Sequence, residues 1–220
     1  MKTASAVSHP NPTSGTPSEL LDIAERLFAE RGVDNVALTE IVTASGQKNR
    51  SALHYHFGSR EGVLSAVLNR RLAPINARRE AALDALPPIP TVALIIRATM
   101  RALVEVVEAE PWGADYIAIL AQVMLHPKLL GRRAVDDALL TGVRRARRLV
   151  CQAAPDVPAK VVGRRLDWLN ETVVFALARW VRDTSPEARS KIAGDGLIGQ
   201  LTAYGAAALT APPSNTGNAT

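Results

Sequence analysis

"GQKNRSALHYHFGSRE", Gly46 to Glu61, brings together Lys48, Arg50, Arg60 and two histidines, with no acid before its last residue. His54 and His56 would share an ion on a strand, where residues i and i+2 point to one face; on a helix they diverge by about 200°. The spacing here is helical. Leu53 and Phe57 can point inward together at i, i+4, while Ser51 and Tyr55 form a second such pair on the opposite side. A metal shared by the two imidazoles is therefore not expected.

The flanks of this segment set its boundaries. Before it, a short helix over about Leu38 to Ser45 turns Ile41 and Ala44 inward and stops at Gly46. Gln47 to Asn49 then form a turn, and Asn49 is a good N-cap for a third helix over Arg50 to Phe57. Gly58 and Ser59 end that helix, and Ser59 caps a fourth that begins "REGVLSAVLNRRL". Upstream, "TPSE" supplies Thr16 as N-cap, Pro17 at the first helical position and Glu19 three residues after the cap. Leu20, Ala24, Leu27 and Phe28 form one apolar stripe, and Gly32 stops the helix. The result is helix, turn, helix, with polar groups on the outer face of the second: the architecture that places a recognition helix in the major groove of DNA.

Charge follows the same plan. The net charge is +5, yet from Glu19 to Glu40 the acids Glu19, Asp22, Glu25, Glu30, Asp34 and Glu40 outnumber Arg26 and Arg31. Positive charge is focused at the quoted segment, as a nucleic-acid surface requires. Gln47, Lys48, Asn49 and Arg50 can donate to base edges or phosphates near the start of the third helix, and Ser51 lies on its outer face. His54 and Tyr55 are read as holding backbone phosphates.

Ser18 to Leu68, "SELLDIAERLFAERGVDNVALTEIVTASGQKNRSALHYHFGSREGVLSAVL", resembles the DNA-binding domain of the TetR family of one-component transcriptional regulators. The shared features are an amphipathic helix ending in Phe before a Gly, a short helix ending in Gly, and an aromatic-rich helix ending in His-Phe, then Gly-Ser, a basic residue and Glu. Two departures stand out. The turn between Gly46 and Phe57 is one residue longer than is usual in the family, and His54 stands where the family commonly has Tyr, with Tyr55 beside it. Which of Gln47 and Lys48 meets which base is therefore left open. The resemblance implies a DNA contact at Thr39 and a phosphate contact at Arg60. His56 is expected to be packed and structural.

At 220 residues and 47% hydrophobic content the chain can bury a sizeable core. An all-α fold of about nine helices is expected. Residues 16–60 form the helix-turn-helix domain and residues 61–210 a larger ligand-binding and dimerisation domain, between disordered tails at 1–15 and 211–220. Beyond the third helix, helices are expected near 60–85, 90–110, 112–126, 128–153, 158–184 and 186–210, broken at Pro87-Pro88, Pro111, Pro127, Pro155 and Pro186. Pro74 should bend the long fourth helix. The lone Cys151 is read as a buried helix residue. The N-terminus lacks an apolar secretion segment and no stretch is long enough to span a bilayer, so a cytoplasmic protein is expected.

Family resemblance implies a small effector bound in the second domain and a dimer whose recognition helices change spacing when it binds. Trp112, Tyr116 and Met124 recur at helical intervals, and Trp168 and Phe175 can join them, so these five are the candidate lining of an apolar pocket. The arginine clusters Arg132-Arg133, Arg144-Arg145-Arg147-Arg148 and Arg164-Arg165 can meet an anionic effector such as an acyl-CoA, but are read as solvated helix faces. Two stripes are candidate dimer surfaces: Leu166, Leu169, Val173, Leu177 and Trp180, and Leu197, Leu201, Tyr204 and Ala208. Together they suit a four-helix interface. No paired acids, nucleophile–base set or phosphate loop is present, so neither catalysis nor a cofactor is expected. The reading is a DNA-binding, effector-responsive homodimeric repressor acting on a palindromic operator; the alternative is a helical enzyme or small-molecule carrier with an incidental basic helix.

Overall fold

Local signals set the helix ends in the first third of the chain. The Thr16 backbone N–H donates to Glu19 at 2.8 Å while the Glu19 N–H donates to Thr16 Oγ1 at 3.3 Å, which opens helix α1, Pro17–Arg31. Gly32, at φ +90°, closes it. A 3₁₀ turn, Val33–Asn35, leads to α2, Leu38–Ala44, and then to α3, Ser51–Phe57. The remaining helices are α4 Arg60–Asp84, α5 Val92–Ala109, α6 Gly113–Leu125, α7 Thr141–Ala153, α8 Ala159–Asp183, α9 Pro186–Lys191 and α10 Asp195–Thr210. This computed structural model describes residues 16–46, 51–126, 129, 135–191 and 195–213.

Among the described residues the fold is all-α, with ten α-helices. The expected helix over 186–210 is two, α9 and α10, which accounts for the tenth. Of the one expected over 128–153, residues 128 and 130–134 lie outside the described residues, and the described part includes the 3₁₀ turn Asp137–Leu140 running into α7. Pro74 lies inside α4. The tail expected at 1–15 and residues 214–220 of the one expected at 211–220 lie outside the described residues, but the chain is still held just past Thr210: Arg165 of α8 donates to the carbonyls of Ala211 and Pro212.

Packing follows the stripes. Leu20, Ala24 and Phe28 of α1 are buried with Ile41 and Val42 of α2 and with Val63, Leu64, Val67 and Leu68 of α4. Val42, not Ala44, accompanies Ile41 into the core; Ala44 is exposed. In the larger domain α5 packs against α4, α7 and α10, while α6 bridges α1 and α8. Cys151 is half-buried against this core rather than fully enclosed. Among the described residues no helix is long and apolar enough to cross a membrane.

Candidate nucleic-acid interface and ligand cavity

The direction of α3 is set at its C-terminal end. Gly58 takes φ +71°, a left-handed conformation that glycine adopts without steric cost, and its N–H closes on the His54 carbonyl. Ser59 Oγ then accepts from the Gly62 N–H at 3.2 Å to start α4. A Cβ on Gly62 would run into the Phe57 carbonyl oxygen, so the two helices meet more closely than any side chain there would permit. Phe57, half-buried, anchors α3 to the core.

The opposite side of α3 is open. Tyr55 is 86% exposed, and His54 and His56 are exposed beside it. His56 is thus not a packed residue; its ring sits edge-on to Tyr55 at 5.3 Å, and its place at the last turn leaves it outside the Phe57 contact with the core. Thr39, the second residue of α2, is exposed. Gln47, Lys48, Asn49 and Arg50 lie outside the described residues, and of Ser51 only the backbone is described. Arg60 does not point into open space: it donates to the Asp34 carbonyl at 2.8 Å and to Asp34 Oδ1 at 3.2 Å, bracing the start of α4 against the 3₁₀ turn.

The second domain contains a cavity between α4, α5, α7 and α8, with about 830 Å³ of space not filled by atoms, part of it continuous with solvent. Its inner wall is apolar, built from Ile95, Ile96, Met100, Ala146, Val150, Leu169 and Val173. Arg144, Arg147, Asp167 and Asn170, all exposed, mark the open side. Arg79 of α4 also lines it and is only 4% exposed.

None of the five residues expected to line a pocket lies on this cavity. Tyr116 is buried in the core, where burial raises its phenol well above the ordinary value, and Trp112 stands edge-on to it at 6.2 Å. Met124 and Phe175 are half-buried elsewhere, and Trp168 is 59% exposed. The signal that would have found the cavity was an interruption. Leu68, Leu72, Ile75, Arg79 and Leu83 repeat at three- and four-residue steps, and a cation at an inward position demands a reason.

Residues 97–208 match the family model of the tetracyclin repressor-like C-terminal domain, and residues 20–67 match that of bacterial regulatory proteins of the tetR family. The chain belongs to the TetR family. It is 44% identical over 55 residues to the HTH-type transcriptional repressor KstR2 of Rhodococcus jostii (strain RHA1), a match spanning 25% of this chain and 26% of that relative. Two solved structures share its fold. The fatty acid degradation regulator FadR of Bacillus halodurans superposes with a TM-score of 0.63 at 12% identity, covering 87% of this chain and 98% of that one. The ketosteroid transcriptional regulator KstR2 of Mycobacterium tuberculosis gives 0.56 at 18% identity, covering 87% and 95%. The chain is accordingly a DNA-binding transcriptional regulator.

In this TetR-family chain the two domains are joined by charge as well as by packing. Glu25 of α1 is 2% exposed and accepts from Arg70 at 3.0 Å and from Arg71 at 2.6 Å, both on α4. Asp22 shares the same two arginines at 2.7 and 3.1 Å. The Arg71 guanidinium lies 4.6 Å from the centre of the Trp112 ring of α6, a cation–π contact that gives Trp112 a structural task.

The stripes expected to form the dimer surface face inward. Leu169, Val173, Leu177 and Leu201 are all less than a tenth exposed within one TetR-family subunit, and Leu166, Trp180, Leu197 and Ala208 are half-buried. Only Tyr204 of the nine is exposed, at 57%. The outward faces of the same two helices are different: α8 presents Trp168, Glu171 and Arg179, and α10 presents Gly199, Gln200, Ala203, Tyr204 and Ala207.

Proposed function

We propose that this protein is a transcriptional repressor that binds a palindromic operator as a homodimer and leaves it when a small apolar or amphipathic effector occupies the cavity between α4, α5, α7 and α8. The observation that carries the reading is α3, closely joined to α4 at its Phe57–Gly62 end with Tyr55 and His54 turned outward. Gln47, Lys48, Asn49, Arg50 and Ser51, at its start, are the base-reading set; His54, Tyr55 and Thr39 hold phosphates. The Asp34 pairing of Arg60 makes its expected phosphate contact depend on exchanging one anion for another.

The outward faces of α8 and α10 support the dimer. Trp168 and Tyr204 are large, exposed and apolar in their bodies, and Gly199, Ala203 and Ala207 recur at four-residue steps, so a second helix can approach closely. Two recognition helices about 34 Å apart read successive major grooves, which one short helix cannot. Release requires the effector to bind the DNA-competent and released states unequally. The route for that difference is α4, which carries Arg79 at the cavity and, roughly 13 Å along its axis, the arginines that hold α1. The name of the Rhodococcus jostii relative, a transcriptional repressor, supports a repressor.

The test is selection of bound sequences from random duplex DNA, followed by titration of the recovered site at several salt concentrations. A palindromic site bound by two chains, with affinity falling steeply as salt rises, is the expected result. Recovery of no preferred sequence, or catalytic turnover without DNA affinity, would overturn the reading.

A further inference from the structure

Among the described residues Arg79 is a buried cation without an ion-pair partner. It is 4% exposed, and its Nε and Nη1 meet no hydrogen-bond acceptor. Burial lowers its affinity for its proton, yet a guanidinium stays charged in proteins, so the charge itself remains. The groups around it do not neutralise it. Glu80, next in sequence, is engaged by Arg145 at 3.0 Å, and the buried Tyr116 holds its proton. Unpaired buried donors are costly, and these two face a cavity that can admit an acceptor.

The rest of the cavity agrees. Its charged lining is three arginines, Arg79, Arg144 and Arg147, against one aspartate, Asp167, which is exposed at the open side. Arg144 is paired with Asp137 at 2.8 Å. Arg147 has no ion pair among the described residues, and its guanidinium lies over Gly163, where a Cβ would collide with it. Beyond these groups the wall is Ile95, Ile96, Met100, Leu169 and Val173.

We infer that the effector is an amphipathic organic anion whose carboxylate or phosphate pairs with Arg79 while its apolar body lies along α5 and α8. This rests on the effector cavity of the proposed function and specifies the chemistry that fills it. A neutral apolar molecule would fit the wall but leave the buried guanidinium unpaired; an inorganic anion would pair with it but leave the wall uncovered. Arg147 at the open side is placed to draw the anion inward.

The experiment uses the full chain without DNA and three probe series of eight to fourteen carbons, measured by titration calorimetry below their micellar concentrations: straight-chain carboxylates, alkyl phosphates and primary alcohols. The expected result is that, at one or more chain lengths, an anion binds at least about tenfold more tightly than its matched alcohol. Arg79→Met should abolish that preference and Arg79→Lys retain part of it, both keeping wild-type helicity by circular dichroism. A carboxylate-only or phosphate-only preference identifies the headgroup. Equal binding of anion and alcohol, a preference that survives Arg79→Met, or no binding by any series overturns the inference. DNA binding measured on the same preparations separates the two claims, since its retention alongside any of those outcomes leaves the regulator reading intact.

Discussion

Gln122 of α6 accepts a hydrogen bond from the backbone N–H of Val33 through Oε1 at 2.9 Å, and its Nε2 donates to the Phe28 carbonyl at 3.3 Å. One side chain of the second domain thus completes the turn between α1 and α2. Gln122→Ala should leave the Val33 N–H without an acceptor and lower unfolding stability by about 1–2 kcal/mol. Amide exchange at Val33 should quicken more than in the middle of α5. Unchanged urea unfolding and unchanged exchange would show that the clamp contributes nothing.

Glu25 is the buried anion between two arginines, so its charge matters more than its shape. Glu25→Gln should cost roughly 2–3 kcal/mol, less than the full penalty for breaking a buried pair because Asp22 still serves both guanidinium groups. Asp22→Asn, at an exposed position, should cost well under about 1 kcal/mol. Denaturant unfolding of both variants decides the matter, and equal costs would contradict the assignment.

Asp115, half-buried at the start of α6, is held above the ordinary aspartate value by burial first and then by Glu25 and Glu30. Its folded form therefore binds a proton more readily than its unfolded form, and stability falls as pH rises from the unfolded to the folded value. Asp115→Asn should stabilise the protein at pH 7 by less than about 1 kcal/mol. The gain should disappear once the pH drops below the ordinary aspartate value. A gain that grew on acidification would have the wrong sign.

Tyr55, being 86% exposed, can be truncated without cost to the fold. Tyr55→Ala should weaken operator binding several-fold, about 1 kcal/mol, and by a similar factor on unrelated duplexes, because a phosphate contact carries no sequence information. Arg50→Ala should instead cost about 1–3 kcal/mol on the operator and relax its base preference. Fluorescence anisotropy on matched and scrambled duplexes distinguishes them. Wild-type affinity in both folded variants would remove α3 as the DNA surface.

The dimer face separates from the core by mutation. Trp168→Glu combined with Tyr204→Glu should give helical monomers that lose tight binding to a full palindrome, whereas Leu201→Glu, at an 8% exposed position, should destabilise the subunit itself by several kcal/mol, on the order of an unpaired buried charge. Sedimentation with circular dichroism reads both effects. A double variant that stayed dimeric would place the interface elsewhere.

The sequence by itself determined what depends on neighbours in the chain. Thr16 with Glu19, Gly32, Ser59 and Gly58 start and stop helices through bonds spanning four residues or fewer, so their chemistry was legible in order. The same holds for the outward turn of His54 and Tyr55, which follows from helical spacing. Tertiary structure alone decided which neighbour each apolar face met. A stripe such as Leu169, Val173 and Leu177 states that a face is buried, not whether by its own subunit or by another, and here its own α10 helps to cover it. His56 and Ala44 were misjudged because spacing shows which way the buried face of a short helix points but not how wide it is. Arg60 meets Asp34 and Arg79 meets a cavity for the same reason: a long cation reaches partners or voids supplied by helices distant in sequence, and only the packed chain brings them within range.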